Sequence, residues 1–469
     1  MILKRAILLF IISAFFHGLI FAENGIESSG NDFHNYQQLK PLFEKLYKLE
    51  HNKSGKVNIV HIGDSHIQAD LFTNTIRQAL QSRFGNGGYG FCFPYSLAKT
   101  NGTGYTKFSS NAVWNNRRNI FPITDVSIGL SGIGFYTNKA NASLQLEVNP
   151  LYAFNKIKVL STSRETNFEV SFTDEPQEKR EDIHPVTKED LSESEVKIHT
   201  VKTGETLYRI ALNNHTTIEQ LKAWNDLKSS TIKKGMVLVV SEKAKPTRSV
   251  PKTDNRKPET ITSQAGKYYI EAKDSILSNT AYITSKSKVT ESNLSGIVIE
   301  NDKPGIIYHT IGVNGAKLSD YNKYPLFFKQ LPILHPDLVI ISLGTNESFG
   351  KWSTPYYMDQ LNQLVQSIRY ENPSAIILVT TPPPSLFRRS TPNDFIEGYR
   401  DAMMQSNDYV VWDLLSKLGG IEAPLNNNLS GNMARDRVHY TKDGYEEQGI
   451  LFATDFLKAY DQYIKNRVK

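Results

Sequence analysis

Four residues have types and neighbours suited to nucleophilic catalysis: Ser65, His439, Asp436 and Asn346. Ser65 sits in Gly63-Asp64-Ser65-His66, directly after the apolar run Val57–Ile62. A strand ending in a sharp Gly-Asp-Ser turn leaves a hydroxyl exposed at a sheet edge, where another side chain can take its proton. Asp436-Arg437-Val438-His439 offers that side chain. An unperturbed imidazole titrates at about pH 6.5, and Asp436 can hold its other ring nitrogen and stabilise the imidazolium. Gly344-Thr345-Asn346-Glu347 offers a polar donor after a further apolar run. Each has a plainer alternative: a turn serine, a surface histidine, an asparagine that caps a helix. Asp64 is expected to stabilise the turn, and His61 and His66 are given no part in the chemistry. Asp436 and His439 lack a third ligand at metal-binding spacing, so neither a metal nor another cofactor is expected.

The elements that must position these residues read as strand–helix alternation. Five short apolar runs, Val57–Ile62, Gly305–Ile311, Leu338–Leu343, Ala375–Thr380 and Tyr409–Trp412, fit buried parallel strands. Helical patterns cover Tyr36–His51, Tyr356–Arg369, Asp394–Gln405 and Asp443–Tyr463. The expected fold class is α/β: a five-stranded parallel sheet between two helical layers. In such a sheet ligands bind at the carboxyl ends of the strands, where both Ser65 and Asn346 stand.

The first two core strands are more than two hundred residues apart, so inserted material lies between them. Segments 110–173 and 266–300 alternate apolar and polar residues, as in Ser143-Leu144-Gln145-Leu146-Glu147-Val148, and predict one β-sandwich-like insert. Segments 174–197 and 242–265 are polar, charged and proline-bearing, and read as linkers. Between them, 198–241 predicts a strand, helices Thr206–Asn213 and Ile218–Trp224, and a closing strand. The α/β core would then be discontinuous, over 31–100 and 303–469.

Segment 1–22 reads as an export signal: Lys4 and Arg5, then an almost wholly apolar run to Ala22. A membrane anchor is the alternative, but the run is short of a full span of roughly 20 residues. The expected location is therefore exported: periplasmic, cell-surface or secreted, with no membrane attachment after cleavage. The net charge of +6 is small for 469 residues, and no basic stripe argues for nucleic acid. Cys92 is the single cysteine, which rules out an intramolecular disulfide.

Taken in order, the motifs at Ser65, Gly312-Val313-Asn314-Gly315, Gly344-Thr345-Asn346 and Asp436-x-x-His439 resemble those of SGNH/GDSL hydrolases. The usual Gly-Asp-Ser-Leu is Gly-Asp-Ser-His here. The tail Val438-His439-Tyr440-Thr441-Lys442-Asp443-Gly444-Tyr445 is most similar to the acetylesterase branch that acts on polysaccharides. The resemblance implies a Ser65-His439-Asp436 triad. It also implies an oxyanion hole made of the Ser65 and Gly315 backbone N–H groups and the Asn346 amide. Gly312 is the alternative to Gly315, and a side chain at 315 would obstruct approach of the substrate.

The nested module resembles a LysM domain through Thr200-Val201-Lys202-Thr203-Gly204-Glu205-Thr206-Leu207-Tyr208 and Ile232-Lys233-Lys234-Gly235-Met236. Such domains bind N-acetylglucosamine-containing glycans. The resemblance places Gly204, Glu205, Thr206 and Leu207 on one side of the groove, Ile232 and Lys233 on the other. For Leu207, Ile210, Leu221 and Trp224 the alternative is service in the module's own core. The combined expectation is an exported serine esterase that removes O-acetyl groups from peptidoglycan. A different acetylated polysaccharide, a small ester, or a non-catalytic wall-binding role are the alternatives.

Overall fold

The computed structural model describes residues 32–172, 197–202, 207, 210, 214, 218–225, 227, 232–241, 262–286 and 291–467. The proposed export segment 1–22 lies outside them, as do 174–196 and 242–261 of the expected linkers.

The five expected strands form the inner part of the core sheet. Their order is Val410–Trp412, Ile376–Thr380, Leu338–Ser342, Lys56–Gly63, Gly305–Gly312, and every neighbouring pair is parallel. The sheet has seven strands rather than five. Phe33–His34 adds antiparallel beside Val410–Trp412, and Asn86–Gly88 adds parallel beside Gly305–Gly312. Both edge strands are too short, and Asn86-Gly87-Gly88 too glycine-rich, to leave an apolar run.

Strand alternation sends successive side chains to opposite faces. Val57, Ile59 and Ile340 pack with the helices Lys40–Asn52, Leu71–Phe84 and Lys442–Arg467. Val60, Ile62, Val339 and Ile341 pack with Pro325–Gln330, Thr354–Glu371 and Phe395–Met404. Helix Leu71–Phe84 has no clear apolar periodicity because part of its buried face is polar. Arg77 is buried in a two-pronged ion pair with Asp70, at 2.9 Å on each nitrogen, and Asp70 also accepts from Thr73, Tyr89 and Thr310. Gln81 Nε2 donates to the carbonyls of Gly88 and Ile306.

The intervening chain forms two antiparallel sheets. One orders Phe168–Ser171, Thr280–Ser285, Ser143–Val148 and Thr106–Ser110. The other orders Thr262–Gly266, Tyr269–Ser278, Phe154–Ser161, Ser292–Glu300, Ile133–Thr137 and Asn115–Arg118, with Gly90–Cys92 also paired to Ser292–Glu300. Residues 262–265, expected in a linker, are strand. They pair with Ile270–Lys273 across a tight turn in which Tyr268 takes a left-handed φ of 73°. Gly90–Cys92 follows the edge strand Asn86–Gly88, and Ser292–Glu300 leads into Gly305–Gly312. The insert is thereby anchored at the same edge of the core sheet by both its entry and its exit.

In the nested module, Ile198–Thr200 pairs antiparallel with Val237–Val239. Val201, Leu207, Ile210, Leu221, Leu238 and Val240 make its core, with Trp224 and Ile232 packed against it. Asn225 ties helix Ile218–Trp224 to the closing strand through bonds to Leu221 O, Val239 O and Val239 N.

Candidate active site

Three adjacent parallel strands end side by side at the site. Lys56–Gly63 lies between Leu338–Ser342 and Gly305–Gly312, so the turns after them bring Ser65, Asn346 and Gly315 to one end of the sheet. Gly63 is demanded by close packing: a Cβ there would lie 2.3 Å from Ile67 Cγ1 and 2.8 Å from the Ser342 carbonyl. Asp64 then starts the short helix Ser65–Gln68, its Oδ1 accepting from the His66 N–H at 2.9 Å.

The histidine arrives from the other end of the chain. Loop 431–441 is held by a bridge between Met433 and Tyr440, by Ala434 N to His439 O at 2.8 Å, and by Tyr440 Oη to Pro384 O at 2.8 Å. Arg437 turns the loop with a left-handed φ of 61°. Thr441 accepts from Gly444 N at 3.1 Å as helix Lys442–Arg467 begins.

These elements bring together the sequence-derived trio. Ser65 Oγ lies 2.8 Å from His439 Nε2, and His439 Nδ1 lies 2.7 Å from Asp436 Oδ2. The other oxygen, Asp436 Oδ1, accepts from the Val438 and His439 backbone N–H groups at 3.0 Å each. Burial raises the Asp436 pKa, but these bonds outweigh it and hold the carboxyl at about 2. The carboxylate is thus ionised whenever the imidazole works as a base, and it fixes the tautomer in which Nε2 faces the serine.

The trio opens onto a cavity of about 720 Å³ lined also by Gly315, Asn346, Asn314, Asn101, Arg118, Ile120, Phe349 and Tyr445. Gly315 lines it and Gly312 does not. Gly315 has φ +83°, and a Cβ there would meet only Ile120 Cδ1 at 3.7 Å. Backbone conformation, rather than crowding by the protein, is what calls for glycine. Among the described residues, neither the Ser65 N–H nor the Gly315 N–H donates to a protein acceptor. Asn346 differs from the expectation of a free donor: its Nδ2 donates to Asp64 Oδ2 at 2.9 Å and to the Ala316 carbonyl at 3.0 Å. Burial pushes Asp64 up to about 7, against hydrogen bonds that favour its ionised form.

His61 and His66 stay out of the cavity lining. His61 bridges Tyr308 Oη at 2.8 Å and Ser342 Oγ at 2.6 Å, and His66 Nδ1 meets Tyr445 Oη at 2.9 Å. Burial lowers both to about 3, so they are neutral rings. Asn101, Arg118 and Ile120 come from segments that carry no motif: the folded insert brings Arg118 and Ile120 to Ser65, while Gln68 and Asn314 hold Asn101 there. Among the described residues no group of three or more His, Cys, Asp or Glu could hold a metal, and no helix is long and apolar enough to cross a membrane.

Of the residues expected to bind glycan, Gly204, Glu205 and Thr206 lie outside the described set. Leu207 is corrected: its side chain is 1 % exposed inside the module core and is not available to a ligand. Ile232 is partly buried against that core, and Lys233 is exposed.

Comparison with known proteins gives this geometry its context. Residues 291–447 match the model of the GDSL-like lipase/acylhydrolase family, and residues 199–241 match the LysM domain. The chain thus contains a GDSL-like lipase/acylhydrolase domain and a LysM domain. The acylhydrolase match contains Gly315, Asn346, Asp436 and His439 and begins after Ser65, which the sheet supplies through the strand Lys56–Gly63. A solved structure described as a peptidoglycan O-acetylesterase in action shares the fold. It is 19% identical with a TM-score of 0.63, covering 92% of this chain and 99% of that one. A lipase/acylhydrolase from Enterococcus faecalis is also 19% identical. It covers 32% of this chain and 75% of its own, but its TM-score of 0.26 is too low to bear on the fold. No curated protein sequence matches.

Proposed function

We propose that this chain is an exported serine esterase that removes O-acetyl groups from cell-wall glycan, with peptidoglycan as its substrate. The observation that carries the reading is the hydrogen-bonded line from Ser65 through His439 to Asp436 at the mouth of an open cavity. The LysM match, a domain of glycan-binding type, supports a polymeric substrate, and the overall likeness to a peptidoglycan O-acetylesterase agrees with it. The basic-then-apolar start of the chain supports export.

In this mechanism Ser65 Oγ attacks the acetyl carbonyl carbon while its proton passes to His439 Nε2. Asp436 stabilises the imidazolium. The Ser65 and Gly315 N–H groups receive the oxyanion. Asn346 joins them by turning one amide proton from the Ala316 carbonyl to the oxyanion while keeping its bond to Asp64. Collapse breaks the bond to the sugar oxygen, which leaves with the proton from His439. Water then attacks the acetyl-serine and gives one proton to His439, which passes it to Ser65 Oγ as acetic acid departs and ionises to acetate. Labelling of Ser65 by a fluorophosphonate tests this machinery: loss of labelling in His439→Ala is expected, and unchanged labelling would remove His439 from the role of base.

The proposed domain division follows the same logic. The core spans 31–100 and 303–469, and the LysM module at 198–241 docks the enzyme on polymer, raising the local substrate concentration.

A further inference from the structure

Arg118 brings a positive charge into the cavity, and among the described residues no carboxylate pairs with it. It ends the insert strand Asn115–Arg118 and lines the cavity together with Ser65, Gly315 and His439. Its Nη1 donates to the Asn314 carbonyl at 3.2 Å, and its guanidinium lies 5.5 Å from the Phe121 ring centroid. Among the described residues it forms no ion pair, whereas the buried Arg77 is fully engaged by Asp70. Among the described residues the one carboxylate lining the cavity is Asp436, whose two oxygens are already taken by His439 and backbone N–H groups. The neighbouring wall is uncharged: Asn101, Asn314, Ile120 and Phe349.

A half-buried guanidinium with donors to spare, in a cavity walled by amides and apolar groups, is suited to a planar anion. We propose that Arg118 reads a carboxylate carried by the substrate close to the acetylated hydroxyl, so that the insert sets selectivity for anionic glycan. This rests on the esterase reading above and narrows it: the favoured substrate is an acetylated glycan bearing peptide carboxylates. The competing role is a brace in which Arg118 only steadies Asn314 and so Gly315. A brace would affect neutral and anionic substrates alike.

The test compares acetate release from O-acetylated peptidoglycan fragments with free peptide carboxylates and from the same fragments converted to methylamides. Wild-type protein is expected to favour the carboxylate form by about tenfold in kcat/KM, the scale of one charge-assisted hydrogen bond. Arg118→Gln should bring the ratio to about one, and Arg118→Lys should retain part of the preference. Arg117→Gln is the control for general charge, since Arg117 does not line the cavity. A wild-type ratio near one, or an unchanged ratio in Arg118→Gln, overturns the proposal. If neither fragment form is cleaved, the peptidoglycan reading fails. The same ratio is then measured on 3- and 4-acetoxybenzoate against their methyl esters, and a charge preference that Arg118→Gln does not reduce overturns the role of Arg118.

Discussion

Asn346 donates its amide to the Asp64 carboxylate at 2.9 Å, which ties the turn after strand Leu338–Ser342 to the turn that carries Ser65. A second bond, to the Ala316 carbonyl at 3.0 Å, ties the same amide to the loop of Gly315. One side chain thus spans all three strand ends that make the proposed oxyanion site. Replacing Asn346 with Ala is expected to lower kcat by about a hundredfold with little change in KM, as for loss of an oxyanion donor. A defect confined to KM would place Asn346 among ground-state contacts instead.

Asp64 makes a prediction about stability. Burial pushes it up to about 7, above the value of about 3.9 for an unfolded aspartate. The folded state then binds the proton more tightly, so the penalty for burying the carboxylate grows from about pH 4 to 7 and is constant above. In Asp64→Asn that ionisation is absent. The difference in Tm between variant and wild type should shift in the variant's favour between pH 4 and 7, then level off. A difference that does not vary with pH would contradict the burial assigned to this carboxylate.

The acid side of the activity profile follows from Asp436. Held at about 2, it stays ionised above about pH 4. Its depressed value favours folding above the unfolded aspartate range, and that contribution is lost as pH falls through 2. No loss of activity between pH 4 and 5 should therefore trace to Asp436. A carboxylate-like step between pH 4 and 5 in kcat/KM would show that Asp436 is not held as the geometry indicates.

Arg77 and Asp70 make a prediction about the scaffold. The pair is buried, with Thr73, Tyr89 and Thr310 completing the Asp70 oxygens. Asp70→Asn leaves the guanidinium without its counter-charge and should cost about 3–5 kcal/mol by denaturant unfolding. A loss under about 1 kcal/mol, the range of exposed pairs, would mean the pair is solvated in solution.

What the sequence discloses depends on how local the determinant is. Ser65, Asp436 and His439 are legible because each sits in a short motif beside an apolar strand or a helix start. Helix Leu71–Phe84 is not, since Thr73, Asn74, Arg77 and Gln81 interrupt the apolar stripe on a face that is nonetheless buried. Burial there is set by partners such as Asp70 and the Ile306 carbonyl, which no periodicity reveals. Edge strands Phe33–His34 and Asn86–Gly88 are too short to leave a pattern. Arg118 reaches the cavity through the fold of the insert, and Asn101 through its bonds to Gln68 and Asn314. The Asn346 bonds to Asp64 and Ala316 likewise depend on three strand ends meeting. For the glycan face of the LysM module, Leu207 shows the limit of motif transfer, because a position inside the motif can serve the core.

Replacement of 198–241 with a Gly/Ser linker separates docking from chemistry. Hydrolysis of 4-nitrophenyl acetate should be unchanged, while retention on insoluble peptidoglycan and acetate release from it should fall. Docking raises local concentration and leaves the chemical barrier alone. Equal binding and deacetylation of insoluble peptidoglycan by the shortened chain would make the module structural.

Acetate release from peptidoglycan by wild-type protein and Ser65→Ala, on native O-acetylated and chemically deacetylated polymer, is the most direct test. Wild type should release acetate from the acetylated polymer only. Ser65→Ala should be slower by about a thousandfold or more while unfolding like wild type. Near-wild-type release by Ser65→Ala would contradict the serine mechanism, and no release by wild-type protein would contradict peptidoglycan as the substrate.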